Sequence, residues 1–146
     1  MQYSYIIETT KFTGGISVKA ITKKRTKAVL IDSVISGVAS VGVEYLLKKK
    51  IKNEAFHALV TPTLVMWSLE YAQLKTCGQT LGYKTMGLAL ENENGSELTS
   101  GQIIKRMAYR DSLSTFKYMK DRKAFEGEDG SVLPHDEVAG TVVREV

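Results

Sequence analysis

Twenty residues near the start of the chain constrain its fold more than any other feature. Residues 28–47 read AVLIDSVISGVASVGVEYLL, with only Asp32 and Glu44 charged. A helix that crosses a bilayer needs about 20 predominantly apolar residues. The apolar side chains fall on all sides of such a helix rather than along one stripe, which favours lipid over one-sided packing. Lys23, Lys24, Arg25 and Lys27 precede the stretch and Lys48, Lys49 and Lys50 follow it. A weaker second stretch, residues 55–72, reads AFHALVTPTLVMWSLEYA and is interrupted by His57, Pro62 and Glu70. The short link between them predicts an antiparallel pair of membrane helices. The competing expectation is a soluble domain with two buried helices.

Lys/Arg bias sets orientation in such a pair. Positive residues cluster before the first stretch and after the second, so both termini are expected inside, although Lys48, Lys49, Lys50 and Lys52 in the link reduce the contrast. No charged region followed by a short apolar core and a cleavage site opens at Met1, so insertion is expected through the helices themselves.

At 146 residues, one domain is the natural expectation. Twenty Lys+Arg against 16 Asp+Glu give a charge of +4, and 25 % charged with 43 % apolar residues excludes disordered and low-complexity classes. The single cysteine, Cys77, excludes a disulfide framework, and two histidines, His57 and His135, cannot build a His-rich metal site. Gly-x-Ser-x-Gly, His-Glu-x-x-His and P-loop patterns are all missing, so neither enzyme, metal nor cofactor is expected. The basic residues between Lys105 and Lys123 lack aromatic interleaving, so anionic lipid headgroups are the expected partner and nucleic acid is not.

The remaining chain is polar. Residues 2–12 suggest a strand or ordered arm ending at Gly14-Gly15. Residues 86–90, then Glu93-Asn94-Gly95, predict a strand entering a tight turn, with residues 96–99 returning as a hairpin. Ser100 is the expected N-cap of an amphipathic helix over 102–119 that carries too many charges to span. An acidic Gly loop occupies 126–130, and Thr141-Val142-Val143 offers a closing strand. The expected organisation is an arm over 1–22 and one domain over 23–146. Within it lie helices 28–47 and 55–72, a hairpin over 86–99, the amphipathic helix, and a polar segment over 120–146.

Four ordered blocks resemble the RDD family of small bacterial and archaeal membrane proteins, named for one arginine and two aspartates. They are Arg25-x-x-Ala28-x-x-Ile31-Asp32; Gly78-Gln79-Thr80-Leu81-Gly82-Tyr83-Lys84 with Met86-Gly87-Leu88; Asn94-Gly95 with Leu98-Thr99-x-Gly101-Gln102-x-x-x-Arg106; and His135-Asp136-x-x-Ala139-Gly140-Thr141-Val142-Val143. The resemblance implies Arg25, Asp32 and Asp136 as the motif residues. It also implies an integral membrane protein with a more apolar third segment than residues 102–119 supply here. Combined with the residue patterns, the expected fold is a mainly α integral membrane protein, with a transmembrane helical hairpin of about two spans, a third amphipathic helix and a small cytoplasmic β-hairpin. The family implies ion or small-solute transport, or an accessory role beside other membrane proteins.

Arg25 and Asp32 are seven residues apart, within about 20° on one helix face. An aspartate inside an apolar helix costs about 2.5–3.5 kcal/mol at mid-bilayer. The functional reading makes Asp32 an ion or proton site; the structural one makes it an ion pair or a helix–helix hydrogen bond. Ser33, Ser36, Gly37 and Ser40 form a small-residue face suited to close helix packing, within the chain, with a second copy or with another membrane protein. Pro62 invites a kink beside Thr61 and Thr63, and Trp67 with Tyr71 fits an interfacial pair or the core equally well. The expected protein sits in the cell membrane as a multi-pass chain. It transports an ion or solute or assists a transporter; the alternative is a non-transporting regulator that docks on another membrane protein.

Overall fold

The computed structural model describes residues 18–146. The arm expected over 1–22 therefore lies almost entirely outside the described residues, and its last three positions belong to the first helix. That helix, α1 (Ala20–Leu47), begins eight residues before the apolar stretch, because Lys23, Lys24, Arg25 and Lys27 are good helix formers that hydropathy does not register. Its 28 residues make it about 42 Å long, more than the ~30 Å hydrocarbon core requires. Only 11 % of its most apolar window is buried, whereas the core helix of a soluble protein would be mostly covered. Val34, Val38, Val41 and Tyr45 are all more than two-thirds exposed. Among the described residues α1 is the one helix long and apolar enough to cross a membrane.

After a short link a π-helical turn, Phe56–Val60, leads into α2 (Thr61–Cys77), which packs on α1. The wide turn sits just before Pro62, whose missing N–H cannot complete an α-helical ladder, and Thr63 Oγ1 beside it donates to the Leu59 carbonyl at 2.9 Å. Helix α3 (Leu81–Met86) then lies against α1, and β1 (Leu88–Asn92) follows.

Here one expectation is corrected. Residues 96–99 do not return as a hairpin arm. β1 pairs antiparallel with the C-terminal strand β2 (Thr141–Glu145), in register from Leu88 opposite Glu145 to Asn92 opposite Thr141. The Asn94-Gly95 turn does form, with Gly95 N–H donating to Asn92 C=O at 2.9 Å. However, the Asn92 side chain donates to Ser96 Oγ and Glu97 C=O, turning the chain toward the next helix. Val143 of β2 is fully buried in the cluster that holds Leu88 and Leu90, burial that Ser96-Glu97 cannot match.

The next helix is also shifted. Its N-cap is Thr99, not Ser100: Thr99 Oγ1 accepts from Gln102 N–H while Gln102 Oε1 accepts from Thr99 N–H, a capping box. Helix α4 (Ser100–Tyr109) runs through a second π turn, Arg110–Ser114, into α5 (Thr115–Lys120). Ile103 and Met107 face the core, while Ile104, Leu113, Phe116 and Met119 are exposed. The polar C-terminal segment contributes α6 (Arg122–Glu126), α7 (Pro134–Ala139) and β2. Trp67 and Tyr71 pack against the core cluster. Their polar tips are used as well, Trp67 Nε1 donating to Asp111 at 2.7 Å and Tyr71 Oη to Ser100 Oγ at 2.8 Å.

Candidate functional site

Helix α7 delivers Asp136, with no exposed surface, into the space between α1 and α4. Arg25 Nη2 donates to its Oδ2 at 2.5 Å and Arg106 Nε to its Oδ1 at 2.7 Å. The Leu133 backbone N–H adds a third donor at 3.0 Å. Burial would raise the Asp136 carboxyl, but Arg106 and Arg25 outweigh it and hold the group well below the usual carboxylate range. Arg106 in turn donates to Tyr83 Oη at 2.8 Å and Glu70 Oε1 at 3.3 Å. Glu70 also accepts from Arg110 at 2.6 Å, and Arg110 reaches Asp111 at 2.7 Å. Three guanidiniums thus face Asp136, Glu70 and Asp111.

His135 is neutral in this setting. Burial, followed by the nearby Arg106 and Arg25, pushes it down to about 2 despite the attraction of Asp136. Its Nε2 accepts from Arg25 Nη2 at 3.1 Å, so the ring proton sits on Nδ1 and points to Ser114 Oγ at 3.1 Å. Arg25 Nη1 completes its set on the Gly130 and Ser131 carbonyls. Gly130 approaches α1 so closely that a Cβ there would stand 2.4 Å from Thr22 Oγ1.

Asp32 stands apart from this network. Although it shares a helix face with Arg25, it makes no ion pair with it. Its oxygens accept from Thr80 Oγ1 at 2.5 Å and the Gly82 N–H at 2.7 Å. Both donors are neutral. Two members of the Gly-Gln-Thr-Leu-Gly block make this contact: Thr80 caps α3, and Gly82 is seated so tightly that a Cβ would lie 2.1 Å from the Ala28 carbonyl oxygen.

The remaining motif residues are scaffold. Gly78, Gly87 and Gly140 are left-handed C-caps of α2, α3 and α7, with φ of 67°, 64° and 66°. Gln79 Nε2 donates to Leu88 C=O at 2.8 Å, and Thr141, 1 % exposed, sits directly after α7. Lys84 is exposed, and Gly101 has open space around it. Of the small-residue face, Ser36 and Ser40 are buried within the fold, whereas Ser33 and Gly37 face outward.

Asp32, Glu70, Arg106 and Arg110 line one cavity of about 720 Å³ between α1, α2 and α4. Sequence reasoning did not recognise Glu70 as a second carboxylate facing Asp32's surroundings, nor Arg110 as its partner. The signals were present: a lone Glu inside an apolar helix carries the same cost as Asp32, and Arg106 and Arg110 are one turn apart on one face. Among the described residues no group of His, Cys, Asp or Glu side chains is arranged to hold a metal ion.

No curated protein and no solved structure matches the chain. The RDD family matches residues 20–119, a stretch that holds Arg25, Asp32, the Thr80–Gly82 seat and Arg106 and stops short of Asp136. With more than half of its length matched in this way, the chain belongs to the RDD family of membrane proteins.

Proposed function

We propose that this protein takes part in the movement of an ion or small solute across the cell membrane, itself or as an assistant to a transporter, with Asp32 as the exchanging carboxylate. The observation that carries this reading is the contrast among the three carboxylates. Asp136 is held by Arg25 and Arg106, and Glu70 bridges Arg106 and Arg110, so three fixed cations already neutralise both. Asp32 has only an O–H and an N–H as donors and faces the cavity, which leaves its charge available to a proton or a cation. Arg110 and Glu70 across the cavity would set the field that such an ion meets.

In this reading α1 spans, the shorter and less apolar helical run from Phe56 to Cys77 crosses beside it under cover of α1, the termini lie inside, and no catalytic step is involved. Two helices cannot enclose a pathway, so transport requires a homo-oligomer or another membrane protein. The outward Ser33 and Gly37 support the second reading, a non-transporting regulator that docks on another membrane protein through this face of α1.

Flux in vesicles reconstituted with the purified protein separates the two. A pH- or sodium-dependent flux that Asp32→Asn abolishes, with oligomeric state retained, is the expected result. Flux unchanged by Asp32→Asn, or no flux with the unmodified protein, would favour the regulator.

A further inference from the structure

The cavity continues beyond the ion network as a groove along α1. Thr22, Thr26, Val29, Ser33 and Ser36 line it at alternating four- and three-residue spacing, which makes them one stripe of the helix. From Thr22 to Ser36 the stripe is about 21 Å long. It starts in the charged first turns of α1 and ends inside the apolar stretch. Met66 and Leu69 of α2 form the opposite wall at the deep end; Tyr118, Arg122 and Phe125 form it at the polar end.

The polar end is cationic. Lys23, Lys27 and Arg122 all line this end, and none pairs with a carboxylate among the described residues, whereas Lys24 is held by Glu145 at 3.0 Å. The carboxylate that lines this end is Glu126, which accepts from the Lys19 backbone N–H at 3.3 Å. Three cations against one carboxylate leave a positive excess at this end. At the deep end Val29, Ile35, Met66 and Leu69 supply the apolar wall, with Ser33, Ser36 and Asp32 beside them.

We propose that this groove is a binding site for an anionic acyl lipid, with its phosphate or carboxylate at Lys23, Lys27 and Arg122 and one acyl chain laid along Val29 to Ser36. The cavity as a whole, ion network included, falls within the usual range of about 300–1,000 Å³ for small-molecule sites. A cationic mouth on an apolar slot is the complement of a charged headgroup on a hydrocarbon tail. A protein segment would fill the slot but would leave the cationic mouth without counter-charge. The inference requires only that α1 lies in a membrane and holds whether or not the protein transports; because Asp32 lines the same cavity, a bound acyl chain would lie beside it.

The test is native mass spectrometry of the full-length protein in dodecyl maltoside, titrated with dioleoyl phosphatidylglycerol, oleate or dioleoyl phosphatidylcholine. One bound phosphatidylglycerol or oleate per chain, in preference to phosphatidylcholine, is expected, and which of the two binds identifies phosphate or carboxylate as the headgroup. The double variant Lys23→Gln/Arg122→Gln should weaken that binding ~10-fold. Ser33→Trp, or Thr26→Trp should the first variant not fold, should block the slot and abolish it. Equal binding of phosphatidylcholine, binding unaffected by the charge-neutral double variant, or a second copy of the chain occupying the groove in place of lipid would overturn the proposal.

Discussion

Asp136→Asn isolates the energetic centre of the structure. The substitution preserves shape and one oxygen acceptor while removing the charge that faces Arg25 and Arg106, which are 4 % and 2 % exposed. Each of the two charge-assisted hydrogen bonds is worth about 1.5–3 kcal/mol, and removing one partner of a buried pair costs about 3–5 kcal/mol. Glu70 still faces Arg106, so the lower half of that range is expected, about 3 kcal/mol. A control lies nearby. The Lys24–Glu145 pair is 41 % and 50 % exposed, and Glu145→Gln should cost less than about 1 kcal/mol. Thermal or denaturant unfolding in a mild detergent, followed through the single Trp67, reads both. A loss under about 1 kcal/mol for Asp136→Asn would refute the view that this aspartate neutralises the paired guanidiniums. So would a double-mutant cycle with Arg25→Met that shows no coupling.

Three further outcomes follow from the same geometry. The folded protein holds His135 neutral down to about pH 2, whereas the unfolded chain takes up a proton below about 6.5; stability should therefore fall as pH drops through that window, by about 2–3 kcal/mol between pH 7 and 4.5, and His135→Gln should remove this slope. Gly82→Ala should cost at least about 2 kcal/mol, because its Cβ would collide with the Ala28 carbonyl, while Gly101→Ala, with open space around it, should be neutral or stabilising by up to ~1 kcal/mol; unfolding midpoints compare the two. A cysteine at Asn53 should react with a membrane-impermeant reagent in intact cells while exposed Cys77 does not, and the reverse pattern would place the termini outside.

Much of the fold can be read in local patterns. The apolar stretch from Ala28 to Leu47 announces α1, and a cap, an Asn-Gly turn and amphipathic spacing announce β1 and α4 to within a few residues. What local pattern cannot carry is pairing. β1 finds its partner more than forty residues on, because Leu88, Leu90 and Val143 share one core, and a nearby turn had made the wrong arm look available. The candidate site follows the same rule. Arg25, Asp32 and Asp136 are recognisable as motif residues, yet the natural local pair, Arg25 with Asp32, is not the one that forms. Arg25 reaches 111 residues along the chain to Asp136, and Asp32 turns to neutral donors on α3. Glu70 and Arg110 gain meaning only when α2 and α4 bring them together.

The central claim is that Asp32 exchanges its charge within a cavity whose field is set by Glu70 and its arginines. The most direct measurement is proton- or sodium-dependent flux in reconstituted vesicles for the unmodified protein, Asp32→Asn, Glu70→Gln and the double variant. Residues that serve one site lose activity together, so Asp32→Asn should abolish the flux, Glu70→Gln should reduce it and shift its pH dependence, and the double variant should be no worse than Asp32→Asn. Losses that multiply independently, or a flux that survives Asp32→Asn, would contradict the claim.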